Sequence, residues 1–323
     1  MTSTIPTVNL TPFTAPSTHS DADRILAGKT FIAALHRYGF TKVSGHGLSH
    51  DEVDAAFEWN QNLFDLPHNE KMKAPHPPGP FPHRGYSGKV PEGELKESYE
   101  VGSEEDDQQQ NIWLPEEVLP GFRAYATSLY ERLARVSEVL LSAMGIGLGL
   151  DDEEQEALMQ LASKRHSQLR FMHYPAVSRA RLQSGDEVPR LAAHNDWGTF
   201  TILFQDQTGG LELRDPQTGD FIPADPEDGT LVLNIGDMLG RFTNDYFKSA
   251  EHRVQAPDLT AADEGGIPGR RTIPFFIGPV PSHTVATLER FVDTENPARY
   301  EPVRFDEYGA IVSEYHYQAG NIG

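Results

Sequence analysis

Cysteine is absent from this 323-residue chain. With it go disulfides, thiolate nucleophiles and every zinc or iron–sulfur site built on sulfur. Any metal must therefore be held by His, Asp, Glu or Tyr. Long apolar runs are missing as well, since none approaches the roughly 18 residues of a membrane span. Cationic excess is also missing. Lys and Arg total 27 against 48 Asp and Glu, a formal net charge of -21. Phosphate binding needs a basic footprint, so nucleic acid is not an expected partner, and neither is an anionic membrane surface. The N-terminal stretch "MTSTIPTVNLTPF" lacks a basic segment leading into an apolar one. A secretory signal is not expected, and a cytoplasmic location is. No internal repeat is present.

What is there divides near residue 165. Length alone allows two average domains or one large β-rich one, with ample chain for a core. The first half reads helical. In "DADRILAGKTFIAALHRYGF", Ile25, Phe31, Ile32, Leu35 and Tyr38 recur at near-helical spacing and stop at Gly39. Ser49 and Glu52 have the spacing of a capping box ahead of a second helix. After Pro120, Phe122, Tyr125, Leu129, Leu133, Val136, Leu140 and Met144 form one stripe, read as core. Residues 75–115, rich in Pro, Gly and charge, read as irregular. Beyond residue 165, short β-rich runs such as "LRFMHYP", "TFTILFQD", "GLELRD" and "TIPFFIG" alternate with turn residues. The expected fold is mainly β with helices: a jelly-roll core with an N-terminal helical region. The divisions expected are 1–120, the supporting helices 121–164, the core 165–285 and a C-terminal segment 286–323.

The chemistry-bearing stretch is "LAAHNDWGTFTILFQD". In a strand, residues i and i+2 share a face, which would set His194 beside Asp196 and turn Asn195 away. A third ligand is wanted. His252, in "SAEHRV", lies 56 residues beyond Asp196, after two intervening strand candidates, and a jelly roll could bring it alongside. Two His and one carboxylate on one face, with other positions open, is the arrangement of non-heme Fe(II) oxygenases. A His-x-Asp occurs by chance too: His19-Ser20-Asp21 precedes a helix, where Ser20 or Asp21 serves as a cap. In "GRRTIPFF", Arg270 and Thr272 again share a face. A guanidinium fork with a neighbouring hydroxyl suits a carboxylate, although a salt bridge at a strand start is the plainer reading of an isolated Arg. Arg271 is expected to face the other way.

Taken in order, "HND", "NIGDMLGRFTNDYFKSAEHRV" and "RRTIPFF" resemble the iron(II)/2-oxoglutarate dioxygenases of the isopenicillin N synthase-like group. The likeness extends to "PTVNL", "YGFTKVSGHGL", "RGYSG", "KESYEVG" and "LRFMHYP", covering most of residues 5–282. That resemblance implies a double-stranded β-helix (jelly roll) fold, and that His194, Asp196 and His252 ligate Fe(II), with 2-oxoglutarate as cosubstrate and O2 as oxidant. It implies that Arg270 and Thr272 hold the distal carboxylate of 2-oxoglutarate, joined by Tyr174, which matches the Tyr of the family's "NYYP" segment. Many relatives carry Ser where Thr272 stands, and the hydroxyl is kept. The Asn of that segment is Met172 here, so a polar role there is lost. The stretch "DLTAADEGGIPG" looks longer than in many plant members and is expected to be a surface loop.

Hydroxylation of a small molecule, a natural-product intermediate of fungal secondary metabolism, is the expected outcome, with release of succinate and CO2. Desaturation, cyclisation and ring expansion are variations on it. Candidate substrate-lining groups are Arg84, Tyr86, Ser87, Phe171, His173, Asn195, Phe276 and the segment "EYHYQ". The alternatives are a 2-oxoglutarate-independent oxidase of the isopenicillin N synthase type, a non-catalytic jelly-roll binding protein and a zinc hydrolase.

Overall fold

A computed structural model describes residues 4–78, 83–88, 96–178, 190–255 and 266–318 of the chain. The helices of the first half are α1 (Thr11–Thr14), α2 (Asp21–Tyr38), α3 (His50–Phe64), α4 (His68–Lys71), α5 (Phe122–Leu148) and α6 (Asp152–Met159). Their ends follow local chemistry. Ser20 and Asp23 form a capping box for α2, and Ser49 and Glu52 form one for α3, each satisfying backbone N–H groups that the helix leaves without a partner. Gly39 ends α2 at φ 66°, where a side chain would be strained. The His19-Ser20-Asp21 motif is thus a helix start.

Among the described residues, twelve strands build the two sheets of the jelly roll. They are β1 (Thr7–Asn9), β2 (Phe40–Ser44), β3 (Gly85–Ser87), β4 (Glu97–Val101), β5 (Gln168–Tyr174), β6 (Leu191–His194), β7 (Phe200–Gln205), β8 (Leu211–Arg214), β9 (Phe221–Pro223), β10 (Thr230–Ile235), β11 (His252–Val254) and β12 (Arg270–Ile277). The major sheet runs β1-β2-β10-β7-β12-β5-β4-β3, and the minor sheet runs β6-β11-β8-β9. The N-terminal region therefore supplies four strands of the major sheet as well as helices. Two of them, β3 and β4, arise inside the stretch read as irregular. They are short, and Pro and Gly flank them, so no run of alternation is long enough to stand out. Residues 256–265, which hold most of the expected surface loop, lie outside the described residues, as do the side chains of "EYHYQ".

The outer face of the major sheet packs on helices. Leu129, Leu133, Val136, Leu140 and Met144 of α5 are buried there with Leu169 and Phe171 of β5 and Ile273, Phe275 and Ile277 of β12. At roughly 1.5–3 kcal/mol for each fully buried large apolar side chain, this stripe is a main source of fold stability. Helices α2 and α5 cross closely, because a Cβ on Gly147 would lie 2.4 Å from the Gly28 carbonyl oxygen. A smaller core, with Phe40, Leu211, Leu213, Val232 and Val254, joins the two sheets and closes one half of the jelly roll. Buried polar groups also occur, among them Asp196, Thr201, Asn234, His252, Arg270 and Thr272. No helix among the described residues is long and apolar enough to cross a membrane.

Candidate metal centre and carboxylate pocket

His194 and His252 are brought together by strand register. They are direct partners across the antiparallel β6/β11 pair, with ring centroids 4.3 Å apart. Four strands, β7 to β10, intervene in the chain rather than the two expected. Asp196 reaches them differently from the sequence expectation. β6 ends at His194, so Asp196 sits in the turn that carries the chain into the major sheet, and strand pleat is not what places it. Its carbonyl accepts the Asp237 N–H at 2.8 Å. Its Oδ2 accepts from the Thr201 hydroxyl at 2.6 Å and the Asn234 amide at 2.7 Å, which pins the carboxylate to β7 and β10. Oδ1 is left facing His194, 3.8 Å from its Nε2. Asn195 points away and donates to Ser249 Oγ at 3.0 Å.

The three side chains offer one ligand atom each, all within 4.8 Å of one another. Both imidazoles are oriented by their own strands. His194 Nδ1 bonds the Ala192 carbonyl and His252 Nδ1 the Ala250 carbonyl, each at 2.9 Å. A carbonyl only accepts, so Nδ1 carries the proton and Nε2 presents its lone pair, the form that binds metal. Burial, assisted by the adjacent His252 ring, lowers the His194 pKa to about 4 and keeps it neutral. Burial opposes the Asp196 carboxylate, but the two rings and the two hydrogen bonds outweigh it and hold its pKa below the ordinary value. Two neutral imidazoles and one anionic oxygen fit a ferrous ion.

A second feature lies on the major sheet, on the face that carries Thr201. Arg270 is opposite Tyr174 and Thr272 opposite Met172 across the β12/β5 pair, so Arg270, Thr272 and Tyr174 point together. All three are buried. Arg271 turns outward to Asp65 of the segment that ends α3, as its odd position requires. Arg270 donates to Gln205 Oε1 at 3.0 Å, yet its Nε has no partner. Arg190 was not singled out in the sequence. It is 1% exposed, donates from Nη2 to the Pro268 carbonyl, and leaves Nε and Nη1 without partners. Arg190 and Arg270 both lie against the Tyr174 ring, their guanidinium carbons 6.0 and 5.4 Å from its centre. Burial lowers the pKa of both, and Arg270 adds to the effect on Arg190. No carboxylate among the described residues forms an ion pair with either. Two buried guanidiniums with orphaned donors are costly unless an anion joins them, and the distal carboxylate of 2-oxoglutarate fits that requirement. The signal for Arg190 was present: it stands two and four residues before Ala192 and His194, on the same strand parity.

Four of the expected substrate contacts are placed elsewhere. Phe171 packs on Phe122 of α5, 5.6 Å between centroids, on the helical face. His173 and Tyr86 lie on that face too, where His173 Nδ1 (2.8 Å), the Tyr86 hydroxyl (2.7 Å) and Lys71 Nζ (2.7 Å) converge on Glu97. The pleat is the reason: a residue opposite Arg271 cannot face the same cavity as one opposite Arg270. Arg84 is committed to Asp106, to the Gln109 carbonyl and to the His83 carbonyl. Phe276 does face inward, opposite Thr201, and Ser87 lies opposite Ser98 on the inner parity.

A family model described as the 2OG-Fe(II) oxygenase superfamily matches residues 165–279, and one described as non-haem dioxygenase in morphine synthesis N-terminal matches residues 5–119. The chain is 36% identical over 304 residues to the 2-oxoglutarate-dependent dioxygenase frbA of Dothideomycetidae sp., covering 88% of this chain and 86% of that one. It is 38% identical over 281 residues to the proline hydroxylase buaE of Petromyces alliaceus, covering 83% and 86%. The crystal structure of full-length Neurospora crassa T7H in complex with alpha-KG and thymine superposes with a TM-score of 0.87 at 26% identity, covering 97% of each chain.

Proposed function

This chain belongs to the 2OG-Fe(II) oxygenase superfamily, and from that premise we propose that it hydroxylates a small natural-product intermediate in the cytoplasm. It is a 2-oxoglutarate-dependent dioxygenase whose cofactor is Fe(II), with 2-oxoglutarate and O2 as cosubstrates. With both groups in place, the chemistry supplied is oxidation of a substrate C–H bond by O2 as 2-oxoglutarate is decarboxylated: one oxygen atom ends in succinate, the other in the hydroxylated product.

The chain's own residues supply placement. His194, Asp196 and His252 are the proposed iron ligands, and the carbonyls of Ala192 and Ala250 fix which imidazole nitrogen each ring offers. Thr201 and Asn234 occupy Asp196 Oδ2, which leaves a single oxygen for the metal. Arg270, Thr272 and Tyr174 receive the distal carboxylate of 2-oxoglutarate. The division at residues 120, 164 and 285 keeps the proposed ligands and this pocket within one segment. The natural-product substrate class rests on fungal relatives such as the proline hydroxylase.

The observation that carries this reading is the joint presence, between the two sheets, of the His-Asp-His cluster and a buried Arg whose Nε lacks a partner. It is tested by anaerobic titration with Fe(II) and then 2-oxoglutarate, following the visible metal-to-ligand charge-transfer band. The band is expected in the wild type, absent in Asp196→Ala, and to need at least tenfold more 2-oxoglutarate in Arg270→Ala. Bound iron without a band would overturn it in favour of the oxidase reading.

A further inference from the structure

Strand parity singles out another group on the inner face. Along β12, Arg270, Thr272, Pro274 and Phe276 share that face, and on β5 the facing residues run Tyr174, Met172, Arg170 and Gln168. Arg170 is paired directly with Glu100 of β4. Glu100 is 3% exposed and accepts two hydrogen bonds, from Ser98 Oγ at 3.1 Å on Oε1 and from Gln168 Nε2 on Oε2, while its Oε1 forms an ion pair with Arg170, 2.5 Å from Nε. The Arg170 guanidinium carbon lies 4.9 Å from the centre of the Phe276 ring. Phe276 is in turn the cross-strand neighbour of Thr201, whose hydroxyl holds Asp196. An unbroken line of contacts thus runs from the proposed iron ligand Asp196 through Thr201 and Phe276 to Arg170 and Glu100.

Arg170 is presented rather than consumed. Its Nε is enclosed against Glu100, while the side chain as a whole stays 25% exposed. Its two terminal nitrogens have no hydrogen-bond partner among the described residues. A buried ion pair is a weak way to stabilise a sheet, and apolar residues of similar volume would serve as well or better. What it provides here is a pre-oriented pair of N–H donors beside an aromatic ring.

Resting on the oxygenase reading, we propose that Arg170, held by Glu100 and flanked by Phe276, is the substrate-recognition group, and that the substrate offers it a neutral carbonyl, an amide, lactam or imide, carried on a compact or flat ring. Charge decides between a neutral and an anionic acceptor. Glu100 already neutralises Arg170, so a substrate carboxylate would add an uncompensated negative charge close to a buried one. A neutral carbonyl takes both terminal N–H groups without that cost, and its ring covers Phe276.

The test uses the full chain loaded anaerobically with Fe(II) and 2-oxoglutarate. Benzamide, thymine and benzoate are titrated by calorimetry, while the charge-transfer band is recorded separately. Wild type is expected to bind benzamide or thymine at least tenfold more tightly than benzoate. Arg170→Gln and the charge-neutral double variant Arg170→Gln/Glu100→Gln are expected to lose that binding at least tenfold. Their bands persist as evidence that they fold and hold 2-oxoglutarate. Glu100→Gln is expected to shift preference toward benzoate. Wild-type preference for benzoate, uptake of none of the probes, or unchanged binding in both Arg170 variants overturns the proposal. A wild type with no band overturns the 2-oxoglutarate reading instead, and the calorimetric result distinguishes the two failures.

Discussion

His252 stands directly opposite His194 across β6 and β11, and each ring is turned by a carbonyl two residues earlier on its own strand, Ala250 for one and Ala192 for the other. The pair is nearly symmetric, and the asymmetry comes from Asp196. It is the one member of the cluster fastened to the major sheet, through Thr201 and Asn234. The proposed metal centre is therefore a clasp between the two sheets.

The clasp predicts how iron affinity responds to residues that never touch the metal. Thr201→Val and Asn234→Leu each free Oδ2 of Asp196 to rotate. Each is expected to weaken Fe(II) binding roughly 10–100-fold, as loss of groups that orient a ligand does. Equilibrium dialysis with a competing chelator measures this. Wild-type affinity in both variants would show that the ligand set is rigid without them.

Arg190 predicts opposite signs for function and stability. Removing a buried, partly unpaired cation relieves a desolvation cost, so Arg190→Gln is expected to leave the apo-protein at least as stable as wild type. The same change is expected to raise the 2-oxoglutarate concentration needed for half-maximal charge-transfer absorbance about tenfold, since a guanidinium beside a carboxylate is lost. Unchanged cosubstrate affinity would remove Arg190 from the pocket.

The Arg37–Asp215 ion pair predicts an acid-side effect. Arg37 donates to both Asp215 oxygens, at 2.8 and 3.0 Å, and this pairing leads the interactions that hold the Asp215 pKa below 3.8. A depressed carboxylate stabilises the fold above its unfolded pKa, and the contribution is lost as pH falls through the folded one. Thermal midpoints of wild type and Asp215→Asn are expected to differ at neutral pH and to converge below about pH 3.8. A gap of constant size from pH 7 to pH 3 would show that the charge is not what matters.

Gly147→Ala probes the helix crossing. The new methyl would lie 2.4 Å from the Gly28 carbonyl oxygen, so one helix must shift. The expected cost is about 1–3 kcal/mol by urea unfolding, the range for overpacking. Alanine's better helix propensity offsets only part of it. Equal or greater stability would mean that the helices separate freely.

Several features of this protein are set by short-range chemistry and could be read from the chain. Ser20, Ser49 and Gly39 mark helix ends because capping is settled within four residues. The α5 stripe and the β-rich runs follow from side-chain period. The order of His194, Asp196, His252 and Arg270 carries the family resemblance because those residue types suit a metal ion and an anionic cosubstrate. Register and parity are different, because they are fixed by strands distant in sequence. Only the pairing of β6 with β11 sets His194 opposite His252, and only the β5/β12 register decides that Arg170 and Tyr174 look inward while Phe171 and His173 look toward the helices. A shift of one residue would exchange those two sets. Nothing local in "LRFMHYP" records which set faces the cavity, since both faces of that strand are covered and both carry apolar and polar side chains. The tertiary structure therefore decided the proposed substrate contacts, and it set the two buried arginines Arg190 and Arg270 together against Tyr174.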